Sequence, residues 1–249
     1  MKIKAVIAYN GSGYSGFQLQ KHCSNTIAGR VEQALFDLYK QEVRIYGAGR
    51  TDSGVHAIGQ VIHFYPPKEY EAYKVRNALN YYLKNSQITV LDVAYICEDF
   101  HARFSAKQRS YVYKIYNHAD ILPFYNQTHW SIKNAVNVQK LEFELESIVG
   151  HHDFSSFRSS GCQASSAMRT IDSIEIMDYS LTINEIWIKI SAPSFLYHQV
   201  RNIVGNAIAV AINKKQAGWL KKLLNAKDHS LAMPMAPAHG LYFYQVQYH

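Results

Sequence analysis

Apolar spacing in this chain runs strand, helix, strand, strand, helix, strand, and then repeats, and this order limits the fold more than any other feature. In the first half, alternation predicts strands over residues 3–9, 42–46, 60–65 and 88–96. Helical spacing predicts helices over 27–39, with Thr26 as N-cap, and over 70–83. The second half offers strands over 111–116, 171–177, 185–190 and 241–248, and a helix over 138–149 stopped by Gly150. Two further helices, over 195–212 and 216–224, make one more than the pattern needs. The expected fold is α+β: two ferredoxin-like βαββαβ halves, residues 1–104 and 105–249, whose antiparallel sheets meet at a central cleft. No sequence repeat relates the halves. Residues 118–129, with Pro123, and the serine-rich stretch 155–166 read as loops.

Between the second and third predicted strands runs Gly47-Ala48-Gly49-Arg50-Thr51-Asp52-Ser53-Gly54-Val55-His56-Ala57. Gly49 and Gly54 have the outer spacing of a P-loop, but Val55 and His56 stand where Lys and Ser or Thr belong, and a strand follows instead of a helix. A dinucleotide fingerprint fails as well, because Asp52 occupies a glycine position. An Asp that merely caps its own turn is the plainest alternative. Against it, Arg50, Thr51, Asp52, Ser53 and His56 crowd a few positions, which suits a backbone-tight loop presenting a nucleophile.

No apolar run approaches the roughly 20 residues needed to span a bilayer, and the start of the chain leads into a strand pattern without a signal-peptide core, so a cytoplasmic protein is expected. Cys23, Cys97 and Cys162 have neither the count of a disulfide framework nor the spacing of a zinc site. The net charge of +7 suits a polyanionic partner, nucleic acid first among them.

A lone carboxylate nucleophile needs a cation, and Arg201 is the best candidate: His198, Arg201 and Asn202 fall on one face of an otherwise apolar predicted helix. Beside Arg201, Asp52 would stay ionised at neutral pH; the alternative is a structural ion pair elsewhere. Residues 100–113 interleave aromatic and basic side chains, the texture of a single-stranded nucleic-acid contact. Tyr111 and Tyr113 alternate onto one face there and could stack on a flipped base or simply pack in a core. His151-His152-Asp153 lacks the spacing of a metal site, and Gly13-Tyr14-Ser15-Gly16-Phe17 lacks the last glycine of a hydrolase elbow.

Along essentially its whole length the chain resembles the tRNA pseudouridine synthase I (TruA) family. The loop matching G-R-T-D-x-G-V-H-A is the most specific element, supported by residues 100–106 with Arg109, Tyr111 and Tyr113, by Gly150 to Phe154 with Phe157, by Phe195-Leu196 with His198 to Asn202, and by Ala236-Pro237 with Gly240-Leu241. The resemblance implies the pseudouridine synthase fold and a cofactor-free, metal-free isomerase. Its substrate would be uridine at positions 38, 39 and 40 in the tRNA anticodon stem-loop, and the enzyme would be a homodimer. It further implies Asp52 as the catalytic aspartate, Tyr111 as the ring against the target base, Arg201 as the partner of the aspartate, Arg50 in opening the base stack and Leu241 as an apolar contact to the base. Ser53 and Gln199 depart from the usual Ala and Met, and neither replaces a reacting group. Arg103, Lys107, Arg109, Arg158 and Arg169 are candidate phosphate contacts. Two other classes compete: an RNA-binding protein without catalysis, and a nucleotide-dependent enzyme using the glycines as a phosphate cradle.

Overall fold

A computed structural model of the chain describes residues 1–20, 23, 25–180 and 184–248. The chain forms two units, Met1–Lys107 with Tyr242–His249, and Gln108–Leu241. The break thus falls a few residues past the expected position, and the C-terminal segment returns to the first unit.

The first unit begins with β1 (Lys2–Tyr9) and α1 (Ile27–Tyr39). Thr26 caps α1 by accepting the Gly29 N–H at 3.1 Å, and Ile27, Val31, Ala34 and Leu35 form its buried stripe. Next come β2 (Tyr46–Gly47), β3 (His56–Phe64), α2 (Ala72–Tyr82) and β4 (Ile88–Ile96). β1 pairs antiparallel with both β3 and β4, and β2 pairs with β3 at Tyr46–His63, so the strand order is β4-β1-β3-β2, as a ferredoxin-like unit requires. β2 is shorter than the predicted 42–46. The Glu32 carboxylate on α1 takes the Ile45 N–H at 3.0 Å and the Arg44 guanidinium at 2.9 Å, so a helix side chain replaces a strand as partner.

The second unit opens with β5 (Gln108–Tyr116), β6 (Trp130–Ser131) and α3 (Val138–Glu146), then the hairpin of β7 (Gly150–Asp153) and β8 (Met168–Ile171). β9 (Ser173–Ser180) and β10 (Glu185–Ala192) follow, then α4 (Gln199–Ala211) and α5 (Trp219–Ala226). β10 lies between β5 and β9, antiparallel to both. The final strand, β11 (Leu241–Gln247), runs parallel to β3 with Tyr242 opposite His56 and Phe243 opposite Ala57.

Several further predicted elements differ: β3 begins at His56 and not at residue 60, the strand predicted over 171–177 is split between β8 and β9, and α5 begins at Trp219 and not at residue 216. α3 stops at Glu146, not Val149, because its last turn tightens into i+3 hydrogen bonds. α4 starts at Gln199, not Phe195, because His198 is left-handed at φ 63° and the Gln199 side chain accepts the Leu196 N–H at 2.8 Å. His198 therefore precedes the helix instead of sharing its face with Arg201. His151 to Asp153, to which the sequence pattern assigns no element, lie in strand β7.

Candidate active site

The loop from Ala48 to Val55 joins β2 to β3, as its flanking patterns require, and its backbone is tied down along its length. Ala48 N–H donates to Val61 O at 2.8 Å, and the Gln60 amide donates to Gly49 O at 2.8 Å. Thr51 is held twice: its carbonyl accepts the Phe17 N–H at 3.0 Å, and its hydroxyl bonds the buried Tyr9 hydroxyl at 2.8 Å. Burial pushes that phenol up to about 12, so Tyr9 stays protonated. Ser53 hydroxyl donates to Tyr14 O at 2.9 Å, and Val55 N–H closes a turn onto Asp52 O at 3.2 Å. The His56 Nδ1 accepts the Gly11 N–H at 3.0 Å, while its ring stacks on Tyr242 with centroids 4.6 Å apart.

Two glycines are obligatory here. A Cβ on Gly49 would lie 2.7 Å from the Phe243 ring, which is fully buried, and Gly54 turns through φ 78°. The outcome is a half-buried Asp52 between a buried Thr51 and an exposed Ser53, with Arg50 exposed two residues away. A carboxylate on so constrained a backbone is placed before any substrate arrives.

In the second unit, Tyr111 on β5 sits opposite Ile190 and meets Phe195 edge-on, centroids 5.1 Å apart and planes at 90°. It is half-buried, whereas Tyr113 is completely buried. Tyr113 donates its hydroxyl to Pro237 O at 2.7 Å, and burial pushes its phenol well up. The alternating Tyr pair thus splits into one ring partly open to solvent and one that packs in the core.

Arg201, in the first turn of α4, donates from Nε to Ala236 O at 2.9 Å, and its own carbonyl accepts the Ala236 N–H at 3.0 Å. The polar residues of α4 all hold neighbouring backbone: Asn202 donates to Phe157 O at 2.9 Å, and Asn206 accepts from Trp219 Nε1 at 3.0 Å and from Met233 N–H at 2.9 Å. Leu241 is buried at the start of β11. Asp52 and Arg50 belong to the first unit, and Tyr111, Arg201 and Leu241 to the second.

The basic residues divide. Arg103 is exposed, with its guanidinium 5.5 Å from the Phe104 centroid, and Lys107 is exposed as well. Arg109 donates to Pro193 O at 2.6 Å. Arg158 reaches Ala164 O at 3.5 Å, and Arg169 reaches Ser166 O at 3.0 Å and Met168 O at 2.6 Å. Those two arginines fold the serine-rich stretch onto itself, a task the sequence does not reveal. His151 bonds Thr170 Oγ1 at 2.9 Å, His152 bonds Val149 O at 3.1 Å, and Asp153 accepts from Ser155 N–H at 3.0 Å. Among the described residues, no three His, Cys, Asp or Glu side chains gather as metal ligands would.

Sequence reasoning missed Tyr9, Phe17 and Gln60 as supports of the loop. Only the placement of Tyr9 at the end of an alternating strand hints at its role, since the strand delivers the hydroxyl beside the loop.

A family model described as tRNA pseudouridine synthase matches residues 5–105 and 145–249. The tRNA pseudouridine synthase A of Ehrlichia canis is 45% identical over 248 residues, covering 100% of both chains. Those of Wolbachia pipientis wMel and Anaplasma phagocytophilum are 42% and 40% identical, again over 100% of both chains. With the first unit's elements in the expected order, its Asp52 loop fixed between β2 and β3 and relatives this similar from end to end, the chain belongs to the tRNA pseudouridine synthase family of isomerases.

Proposed function

We propose that this protein isomerises uridine to pseudouridine at positions 38, 39 and 40 of the tRNA anticodon stem-loop, with Asp52 as nucleophile. The observation that carries the reading is the loop itself, where the Tyr9 hydroxyl, the Phe17 N–H and the Gln60 amide hold Thr51 and Gly49 on either side of Arg50, next to a half-buried Asp52 carboxylate. The reaction breaks the C1'–N1 bond, turns the uracil and forms a C1'–C5 bond, with one proton leaving C5 and one arriving at N1. Atoms and electrons balance without oxidant or reductant, so side chains suffice. An ionised Asp52 can add to ribose C1', add to uracil C6 or take the C2' proton.

Tyr111, half-buried and steadied edge-on by Phe195, would stack on the uracil and keep it from water while it turns. Arg201, its Nε fixed on Ala236 O, would supply the countercharge of the carboxylate. Arg50 would help open the base stack, and Leu241 would give the base an apolar contact. Flipping the nucleotide costs a few kcal/mol, which phosphate contacts from Arg103, Lys107 and Arg109 offset. Because Arg158 and Arg169 already bond loop carbonyls, their remaining N–H groups make them secondary contacts. The protein would act in the cytoplasm as a homodimer.

Asp52→Asn keeps the loop's shape and removes the nucleophile. Pseudouridine mapping in tRNA incubated with this variant is expected to show a rate at least about 1,000-fold lower, with tRNA binding retained. Undiminished modification by Asp52→Asn sinks the assignment of Asp52. Wild-type protein that binds tRNA and isomerises nothing sinks the reading as an enzyme.

A further inference from the structure

The first unit carries a second aromatic surface that the reaction does not use. Tyr46 on β2 stacks on His63 of β3, with centroids 4.9 Å apart and planes at 18°. His63 meets His101 at 4.6 Å, and His101 meets Phe104 at 4.3 Å. The ladder ends in rings open to solvent: Tyr46 is 46% exposed and Phe104 is 74% exposed, with Tyr65 beside them at 53%. Exposed rings grouped around a buried imidazole in this way make a candidate binding surface.

Phe104 is not exposed by looseness. The turn that carries it is hydrogen-bonded throughout: Ala102 N–H donates to His63 Nδ1 at 3.1 Å, Arg103 N–H to His101 Nδ1 at 3.1 Å, and His101 N–H to Ser105 Oγ at 3.0 Å. Ser105 N–H returns to His101 O at 2.9 Å, Tyr248 hydroxyl donates to Ala102 O at 2.9 Å, and Lys2 donates to Phe100 O at 2.7 Å. A turn this ordered that holds a phenyl ring in water gains nothing for the fold from that ring. Pre-organisation of this kind lowers the entropy lost when a ligand binds.

Charge indicates the ligand class. Exposed Arg103 lies against Phe104, and Lys107, also exposed, follows three residues after that ring; the Lys2 ammonium, 5.2 Å from the Tyr65 ring, is buried and held by Phe100 O. The nearby Glu98 is engaged by the amino terminus at 3.1 Å. Both histidines use Nδ1 as an acceptor, so their rings are neutral, and with His63 buried the open faces are those of Tyr46 and Phe104. Neutral rings edged by cations fit a nucleobase with its phosphate.

We propose that Tyr46 and Phe104, at the two ends of the His63–His101 ladder, form a second base-stacking subsite that holds an unpaired nucleotide of the tRNA, separate from Tyr111. The proposal rests on tRNA being the substrate. The test compares full-length wild type with Phe104→Ala, Phe104→Leu and Phe104→Tyr, reading Kd for a tRNA transcript, kcat at saturating tRNA, sedimentation and thermal melting. Ala and Leu are expected to weaken binding roughly 5- to 150-fold with kcat nearly unchanged, and Tyr is expected to restore binding. Melting should not move, because the ring is exposed. Crosslinking of 4-thiouridine-substituted tRNA to wild type should mark the peptide holding residues 101–105 or Tyr46, a result that needs no variant to fold. Equal Kd for wild type and the Ala and Leu variants, with no such crosslink, overturns the subsite. A change of oligomeric state with unaltered tRNA affinity also overturns it, because the patch would then face a second copy of the chain. Wild type that neither binds nor modifies tRNA overturns the functional reading instead.

Discussion

At the residue scale, the placement of Asp52 depends on neighbouring side chains that hold its loop. The Tyr9–Thr51 hydrogen bond is buried at 2.8 Å, so Tyr9→Phe removes one bond and leaves the shape. A loss of about 1 kcal/mol in stability is expected from urea unfolding, together with a several-fold fall in kcat and little change in KM, because the carboxylate would wander while RNA contacts persist. Gly49→Ala is a harsher change. Its methyl would meet the Phe243 ring at 2.7 Å, and that ring has no free space, so about 1–3 kcal/mol of stability should be lost. Thermal unfolding of this variant would show it, and an unchanged melting temperature would mean the loop yields more readily than its hydrogen bonds suggest.

At the element scale, helix ends are decided by side chains from other elements. Glu144, fully buried on α3, accepts the Gly218 N–H and the Leu220 N–H, the latter at 2.9 Å, and so caps α5, which has no side-chain cap of its own. Glu144→Ala would leave those donors buried without partners, at a cost of about 2–4 kcal/mol by urea unfolding. Glu144→Gln, which keeps the acceptor oxygen, should lose less.

The contrast between elements shows what was legible. Residues 27–39 and 88–96 match their predicted spans because capping and periodicity are local signals. β2 and the start of α4 were not legible, since Glu32 and Gln199 compete there for backbone N–H groups. The β7–β8 hairpin escaped because its strands have four residues each and a serine-rich stretch between them that hides the pairing. For the site, the strand-to-strand setting of the Asp52 loop was readable, and Tyr111 was separable from Tyr113 only once burial was known.

At the scale of the whole molecule, pH acts through buried imidazoles. Burial pushes His63 down to about 4, helped by His101 and Lys2. His129 is also pushed down to about 4, by burial acting against the opposing pull of Glu185 at 3.7 Å. Both stay neutral in the folded chain while the unfolded chain takes up protons below its ordinary histidine value near 6.5. Stability is therefore full above about pH 6.5 and should decline as pH falls towards 4. Urea midpoints across that range would register the decline, and His63→Gln should flatten part of it. A flat profile would mean the imidazoles already reach solvent.

The chain by itself determined the order of elements in the first unit, the strand-to-strand setting of the Asp52 loop and the basic charge, because each depends on residue type and spacing over short stretches. Tertiary structure decided which backbone groups those side chains satisfy. It put Tyr242 and Phe243 of β11 beside His56 and Ala57, turned Arg158 and Arg169 onto the loop between β7 and β8, and left Phe104 in solvent on a rigid turn. The physical reason is that every strand edge and every carbonyl offers the same hydrogen bond, so the choice among them is made by packing between residues far apart in sequence.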